Sequence, residues 1–137
     1  MSEYLVTGGA GFIGSNLVEA LLKRGHKVRV VDNFSTGRRA NLEPFLNQIQ
    51  LFELDIADPR GLEEAFAGVD FVLHQAALPS VPRSIEDPVG TFQSSVYGTL
   101  NVLEASRKAG VKKLVFASSS SIYGSNPELP KREDMLP

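Results

Sequence analysis

Between Gly8 and Gly14 the stretch LVTGGAGFIGSN has glycine at four of seven positions, directly after one apolar run and directly before another. Such spacing suits the close approach of a backbone to an anion. A helix N-terminus presents unpaired N–H groups and about half a positive charge, which favours a phosphate, and a Cβ on the turn leading into it would hold the ligand away. Gly8 can make the tight turn, Gly11 can admit a pyrophosphate, and Gly14 can let the helix press against the sheet. A tight turn of purely structural role is the alternative, but the placement after a strand-like run and before an amphipathic one favours nucleotide binding. A Walker loop needs Lys and then Ser or Thr after the last glycine; Ser15 and Asn16 follow Gly14, which disfavours hydrolysis of a nucleoside triphosphate.

The second signal is a carboxylate. Asp32 closes the next apolar run, eighteen residues past Gly14, where a carboxylate accepts hydrogen bonds from an adenine ribose and favours NAD. A 2′-phosphate about 4 Å away would be repelled by roughly 1 to 4 kcal/mol, depending on the effective dielectric. Arg38 and Arg39 could soften that repulsion, so NADP stays open, and an ordinary strand-ending turn residue is the alternative reading of Asp32. Asp55 closes a third run and is either within reach of an adenine or another turn residue. Ala76 and Ala77 end a fourth, where small side chains leave room for a dinucleotide or simply pack closely.

These residues need a sheet to hold them. EYLVTG, KVRVVDN, QLFELD, DFVLHQAA and KKLVFASS read as five strands, and helical patterns alternate with them, the signature of βαβ units and a parallel sheet. From Gly11 a helix carries Ile13, Leu17, Val18, Leu21 and Leu22 on one face and stops at Gly25. DPRGLEEAFAG predicts a helix with an Asp N-cap and Pro at its first position. DPVGTFQSSVYGTLNVLEASRKAG repeats that start for a longer helix with Val89, Phe92, Val96, Leu100 and Leu103 at helical spacing.

Composition narrows the function classes. The 137 residues, 42% apolar and 22% charged, predict one soluble domain over 1–137 with one core, and no apolar run approaches the ~20 residues of a membrane span. A net charge of -2 gives no footprint for nucleic acid. With no cysteine, no secretory signal pattern, no HExxH and no His–carboxylate cluster, a cytoplasmic protein without a metal is expected. His26 is expected in a solvated surface turn, and His74, inside an apolar strand, as a satisfied interior residue rather than a base.

Taken in order, VTGGAGFIGSNLVEALLKRGHKVRVVDNFSTG, LDIAD, HQAALPSVPRS, YGTLNVLEA and ASSSSIYG resemble the extended short-chain dehydrogenase/reductase family along the whole chain. Within it the likeness is to NAD-dependent UDP-sugar 4-epimerases of the UDP-glucose or UDP-N-acetylglucosamine type. The resemblance implies a Rossmann-type doubly wound parallel sheet in the order 3-2-1-4-5. It implies NAD held by Gly8, Gly11, Phe12, Ile13, Gly14, Asp32, Asn33, Ser35, Gly37, Asp55, Ile56, Gln75, Ala76 and Ala77. It also implies a UDP-sugar oxidised at C4 and reduced again from the other face, with a YxxxK tyrosine as base and a Ser or Thr orienting the C4 hydroxyl. Counting back from Tyr123-Gly124, that position is Ser119; a polar residue closing strand five is the alternative.

Two departures matter. Ser95 stands where the family usually has Asn before VxGT. No YxxxK exists: four residues after Tyr4, Tyr97 and Tyr123 come Gly8, Asn101 and Pro127. The chain therefore reads as the N-terminal, cofactor-binding part of an epimerase, truncated before the remaining strands and the substrate domain and inactive alone. A freestanding NAD-binding module and another NAD-dependent sugar-nucleotide dehydratase or reductase are the alternatives. Against the dehydratase, Ser120 and Ser121 follow Ser119 where such enzymes carry an Asp-Glu pair. Family members use the counterpart of the long helix in a dimer interface, so an exposed apolar stripe, an open edge at strand five and a homodimer or other self-association are expected.

Overall fold

The computed structural model describes residues 1–78 and 80–136. Five parallel strands, β1 (Glu3–Thr7), β2 (Lys27–Asp32), β3 (Ile49–Glu53), β4 (Phe71–His74) and β5 (Lys113–Phe116), form one sheet in the order β3-β2-β1-β4-β5. This is the Rossmann-type α/β sheet expected. Register brings Thr7 of β1 level with Val31 of β2 and His74 of β4, so the strands finish together at one end of the sheet.

Side chains alternate across the strands, which gives the sheet two apolar faces. Val6, Val28 and Val30 pack with Val18 and Leu21 of α1 (Phe12–Lys23) on one face. Leu5, Val31 and Val72 pack on the other with Leu62, Ala65 and Phe66 of α2 (Leu62–Phe66), and with Val102 and Ala105 further along the chain. Phe66 is fully buried, a burial that stabilises by about 1.5 to 3 kcal/mol. Arg29 reaches across from β2 and donates to the carbonyls of Glu64 and Ala65 at the end of α2, with Glu3 neutralising it at 2.5 Å.

The local reading needs correction at four places. Asp58 does not cap α2. Its carboxylate accepts from the Arg60 N–H and pairs with the Arg60 side chain, closing a turn, and Gly61 at φ +84° keeps the helix from starting before Leu62. The β2–β3 crossover holds only two single 3₁₀ turns, Arg39–Asn41 and Glu43–Phe45, the second containing Pro44. A further short helix, α3 (Val81–Glu86), begins where Ser80 accepts from the Arg83 N–H, a signal that its sequence context did not single out. His26 is half-buried, its ring edge-on to Tyr4 at 4.8 Å, rather than fully solvated.

The long helix begins as expected, with Asp87 accepting from the Gly90 N–H, and runs through α4 (Pro88–Phe92), a π turn (Gln93–Tyr97) and α5 (Gly98–Ala109). Its buried face is Gly98, Val102, Ala105 and Ser106. The more conspicuous stripe, Val89, Phe92, Val96, Leu100 and Leu103, lies 47–65% exposed. β5 pairs with β4 alone, and Val115 and Phe116 are exposed.

Candidate dinucleotide site

A cleft of about 390 Å³ opens at the C-terminal ends of β1 to β4, over the point between β1 and β4 where strand order reverses. Gly8, Gly11, Phe12, Ile13 and Gly14 line it from the glycine turn; Asp32, Asn33, Ser35 and Gly37 from the end of β2; Asp55 and Ile56 from beyond β3; and Gln75, Ala76 and Ala77 from the end of β4. The structure thus brings together in one cleft every residue that the family resemblance assigned to the cofactor. Val31, Thr36, Leu54, Leu78 and Ser94 line it as well. Most of these sit beside an assigned residue, but Ser94 arrives from the π turn, and no local sequence signal marks it. Ser95, the departure from the family pattern, does not line the cleft; its carbonyl accepts from the Thr99 hydroxyl at 2.6 Å.

The glycine turn has the properties that a phosphate requires. Gly8 lies at φ +67°, and a Cβ there would stand 2.7 Å from the Ala76 nitrogen. At Gly14 a Cβ would meet the Gly8 carbonyl oxygen at 2.1 Å, so this glycine lets α1 press against the turn itself. Gly11 differs. A Cβ there would stand 3.3 Å from the Gly8 oxygen, a tight contact but far looser than the one at Gly14, and its position lies in the wall of the cleft. Gly11 is also the N-cap of α1, where no side chain caps the helix and no acidic residue occupies the first turn. The free N–H groups and positive end of the helix are left to an anion.

Asp32 is buried at 7% exposure, and both its oxygens accept backbone hydrogen bonds at 2.8 Å, from Ala10 and from Phe34. It clamps the glycine turn to the β2 loop. The Ala10 carbonyl is held from the same loop by the Arg38 N–H at 3.0 Å and the Asn41 amide at 2.8 Å, which fixes the turn before any ligand arrives. A carboxylate offers about four acceptor directions, so Asp32 retains two for ribose hydroxyls. Asp55 takes the turn role, accepting from the Ala57 N–H at 2.8 Å, and also accepts from Asn33 at 3.0 Å while it lines the cleft. Arg39 is committed elsewhere, paired with Glu53 at 2.5 Å and stacked 4.1 Å over the Phe34 ring. Ser119 stands beyond the end of β5, exposed and outside the cleft lining, its hydroxyl accepting from the Ser121 N–H at 3.3 Å.

A buried acidic clamp beside an uncapped helix N-terminus fits a dinucleotide in this cleft, and known proteins agree. The chain is 40% identical, in an alignment of 144 positions that takes in all of its length, to a UDP-glucose 4-epimerase of Neisseria meningitidis, of which it covers 42%. It is 40% identical over 133 residues, 96% of its length, to a UDP-N-acetyl-alpha-D-glucosaminuronate decarboxylase of Bacillus cytotoxicus, of which it covers 41%. The crystal structure of the Thermus thermophilus UDP-glucose 4-epimerase complex with NAD superposes with a TM-score of 0.88 at 48% identity, over 98% of this chain and 43% of that one. The chain therefore spans about two fifths of the length of these relatives. The model of the NAD dependent epimerase/dehydratase family matches residues 4–137, and it is to this family that the chain belongs.

Proposed function

We propose that the chain is the NAD-binding part of a sugar-nucleotide enzyme, of the type that epimerises UDP-glucose or UDP-N-acetylglucosamine at C4. The observation that carries the reading is Gly11, the N-cap of a helix that no side chain caps, set in the wall of the cleft where a Cβ would take up space at the free N–H groups. On this reading the N–H groups at the start of α1 hold the pyrophosphate, and Asp32 orients the adenine ribose. Asn33, Ser35, Gly37, Asp55 and Ile56 border the adenosine end, and Gln75, Ala76 and Ala77 border the path toward the nicotinamide. Bound NAD supplies a reversible hydride acceptor for the sugar carbon. Ser119 orients the hydroxyl at that carbon, a role that rests on the family motif ending at Tyr123-Gly124.

The proton at that hydroxyl needs a base. A phenol titrates near pH 10, about three units above neutrality, so a tyrosine base depends on a neighbouring cation. None of Tyr4, Tyr97 and Tyr123 has the lysine that YxxxK would place four residues on. We therefore propose that this chain binds NAD(H) but does not turn over UDP-sugars alone. A second reading, another NAD-dependent sugar-nucleotide activity, is favoured by the equal likeness to the Bacillus cytotoxicus decarboxylase. Self-association through the exposed helix stripe completes the proposal.

NADH titration followed by fluorescence, with a coupled UDP-glucose epimerase assay, tests this. Gly11→Val is expected to raise the dissociation constant at least tenfold in a folded chain, because its methyl groups occupy the phosphate position. Unchanged affinity in that variant would sink the site, and turnover by the purified chain, with contaminating enzyme excluded, would sink the claim of inactivity.

A further inference from the structure

Beneath the cleft lies a hydrogen-bonded chain that the proposed chemistry does not use. His74 ends β4 at 1% exposure, between Thr7 of β1 and Thr99 of α5. The Thr99 Oγ1 lies 2.6 Å from the Ser95 carbonyl oxygen, which can only accept, so the Thr99 proton is spent there. Thr99 must then accept from the imidazole, whose Nε2 is 3.1 Å away. With its proton on Nε2, the neutral ring has a lone pair on Nδ1, which accepts from the Thr7 hydroxyl at 2.6 Å. The Thr7 oxygen in turn accepts the N–H groups of Gln75 and Ala76, each at 3.2 Å, the first shared with the Thr7 carbonyl at 3.1 Å. One direction of donation satisfies every member, and no buried side-chain polar atom among the described residues lacks a partner.

One end of this chain reaches the cleft, and the other stops one residue short of it, at Ser95 beside the lining residue Ser94. Gln75 and Ala76 form the cleft wall at the end of β4, where the Ala76 nitrogen sits against Gly8. Ser95 belongs to the π turn whose Ser94 forms another part of the cleft wall. A π turn widens one helical turn and leaves carbonyls misaligned with the helix ladder; here the Thr99 hydroxyl takes up the Ser95 carbonyl. Resting on the dinucleotide reading above, we propose that His74, as the neutral Nε2–H tautomer, is a positioning residue that sets the separation of these two parts of the wall for the dinucleotide. A residue that merely filled the core would need neither polar edge. The groups facing His74 from β1, α5 and β5 are Thr7, Thr99 and the Phe116 ring, and none is charged. Burial alone holds the imidazole neutral, pushing it down to about pH 4.

The test pairs Thr99→Val, which removes the acceptor for Nε2–H, with Thr99→Ser, which keeps it. Valine is expected to raise the NADH dissociation constant about tenfold and serine to leave it within about twofold, with both chains folded by circular dichroism. A merely structural histidine would lower the melting temperature of Thr99→Val and leave the affinity of the folded chain unchanged; that result overturns the proposal. Nitrogen-15 NMR of the wild-type imidazole gives an independent reading, expected to show Nε2 protonated and Nδ1 bare. A proton on Nδ1 overturns the proposal even if Thr99→Val does not fold. Wild-type chain that binds no NADH would overturn the dinucleotide reading as well, whereas wild-type binding indifferent to Thr99→Val overturns this inference alone.

Discussion

At the scale of single residues, Asp32 carries two duties that one substitution separates. Its carboxylate clamps Ala10 to Phe34 and keeps acceptor capacity for a ribose. Asp32→Ala is expected to weaken NAD because the clamp opens, and to narrow the preference for NAD over NADP because the charge repelling a 2′-phosphate is gone. The preference should shrink by an amount within the roughly 1 to 4 kcal/mol of that repulsion. Titration of both cofactors checks this, and a wild type that already prefers NADP would contradict it. His74 makes a pH prediction. An exposed histidine titrates near 6.5, whereas burial brings His74 to about 4. Between those values the unfolded chain binds a proton that the native chain does not, so stability falls as pH drops from about 6.5 to about 4, by roughly 3 kcal/mol in all. Asp58 and Asp70, held below the usual carboxylate range chiefly by hydrogen bonds from Arg60 and Lys112, lose their contributions only at still lower pH. Urea midpoints measured from pH 7 to pH 4.5 should therefore decline, and a flat profile would count against the buried neutral imidazole.

At the scale of elements, α1 and the turn before it are one packed unit. Gly14 allows the first turn of the helix to touch the Gly8 carbonyl, and no flexible side chain intervenes that could yield. Gly14→Ala is expected to cost about 1 to 3 kcal/mol, the range for overpacking, and to weaken NADH binding as the turn shifts. Chemical denaturation and NADH titration of the same variant measure both. Gly11→Val should behave differently, losing affinity with a smaller loss of stability than Gly14→Ala, because its added Cβ stands 3.3 Å from the Gly8 oxygen where that of Gly14 would stand at 2.1 Å. The contrast separates a glycine required by the fold from one reserved for a ligand. Asp32, Arg38 and Asn41 extend the same unit by tying Ala10 to the loop after β2, so the glycine turn is held through both the N–H and the carbonyl of Ala10.

For the molecule as a whole, two exposed surfaces stand out among the described residues. One is the edge strand β5 with exposed Val115 and Phe116, and the other is the stripe from Val89 to Leu103. Open ladder groups and a contiguous apolar patch both favour association. The chain is expected to self-associate in light scattering, and a Phe92→Glu and Leu100→Glu double variant to shift it toward monomer. If the wild type is strictly monomeric, the stripe plays no such part. NADH should raise the melting temperature by mass action, with about 2.7 kcal/mol of added stability at a hundred times its dissociation constant.

What the sequence by itself determined is local. Glycines at Gly8, Gly11 and Gly14, an acid at the end of β2, and alternating apolar runs suffice to place a phosphate-binding turn in a βαβ sheet, because turn chemistry and strand period depend on near neighbours. Gly8, Gly11, Gly14, Asp32, Asp55, Ala76 and Ala77 line the cleft together because strands of one parallel sheet end on the same side, whereas Phe12, Ile13, Asn33, Ser35, Gly37, Ile56 and Gln75 came only from the family resemblance. Tertiary structure decided three other matters. It chose the buried face of the long helix: Gly98, with Ile56 packed where a Cβ would lie 2.8 Å away, and the small residues Ala105 and Ser106 let α5 approach the sheet and α2, while the bulkier stripe faces outward. It delayed α2 to Leu62, where a left-handed glycine outweighs an Asp-Pro start signal. And it joined Thr7, His74, Thr99 and Ser95 across β1, β4 and the long helix, because hydrogen bonds between residues far apart in the chain exist only once the strands and helix are packed.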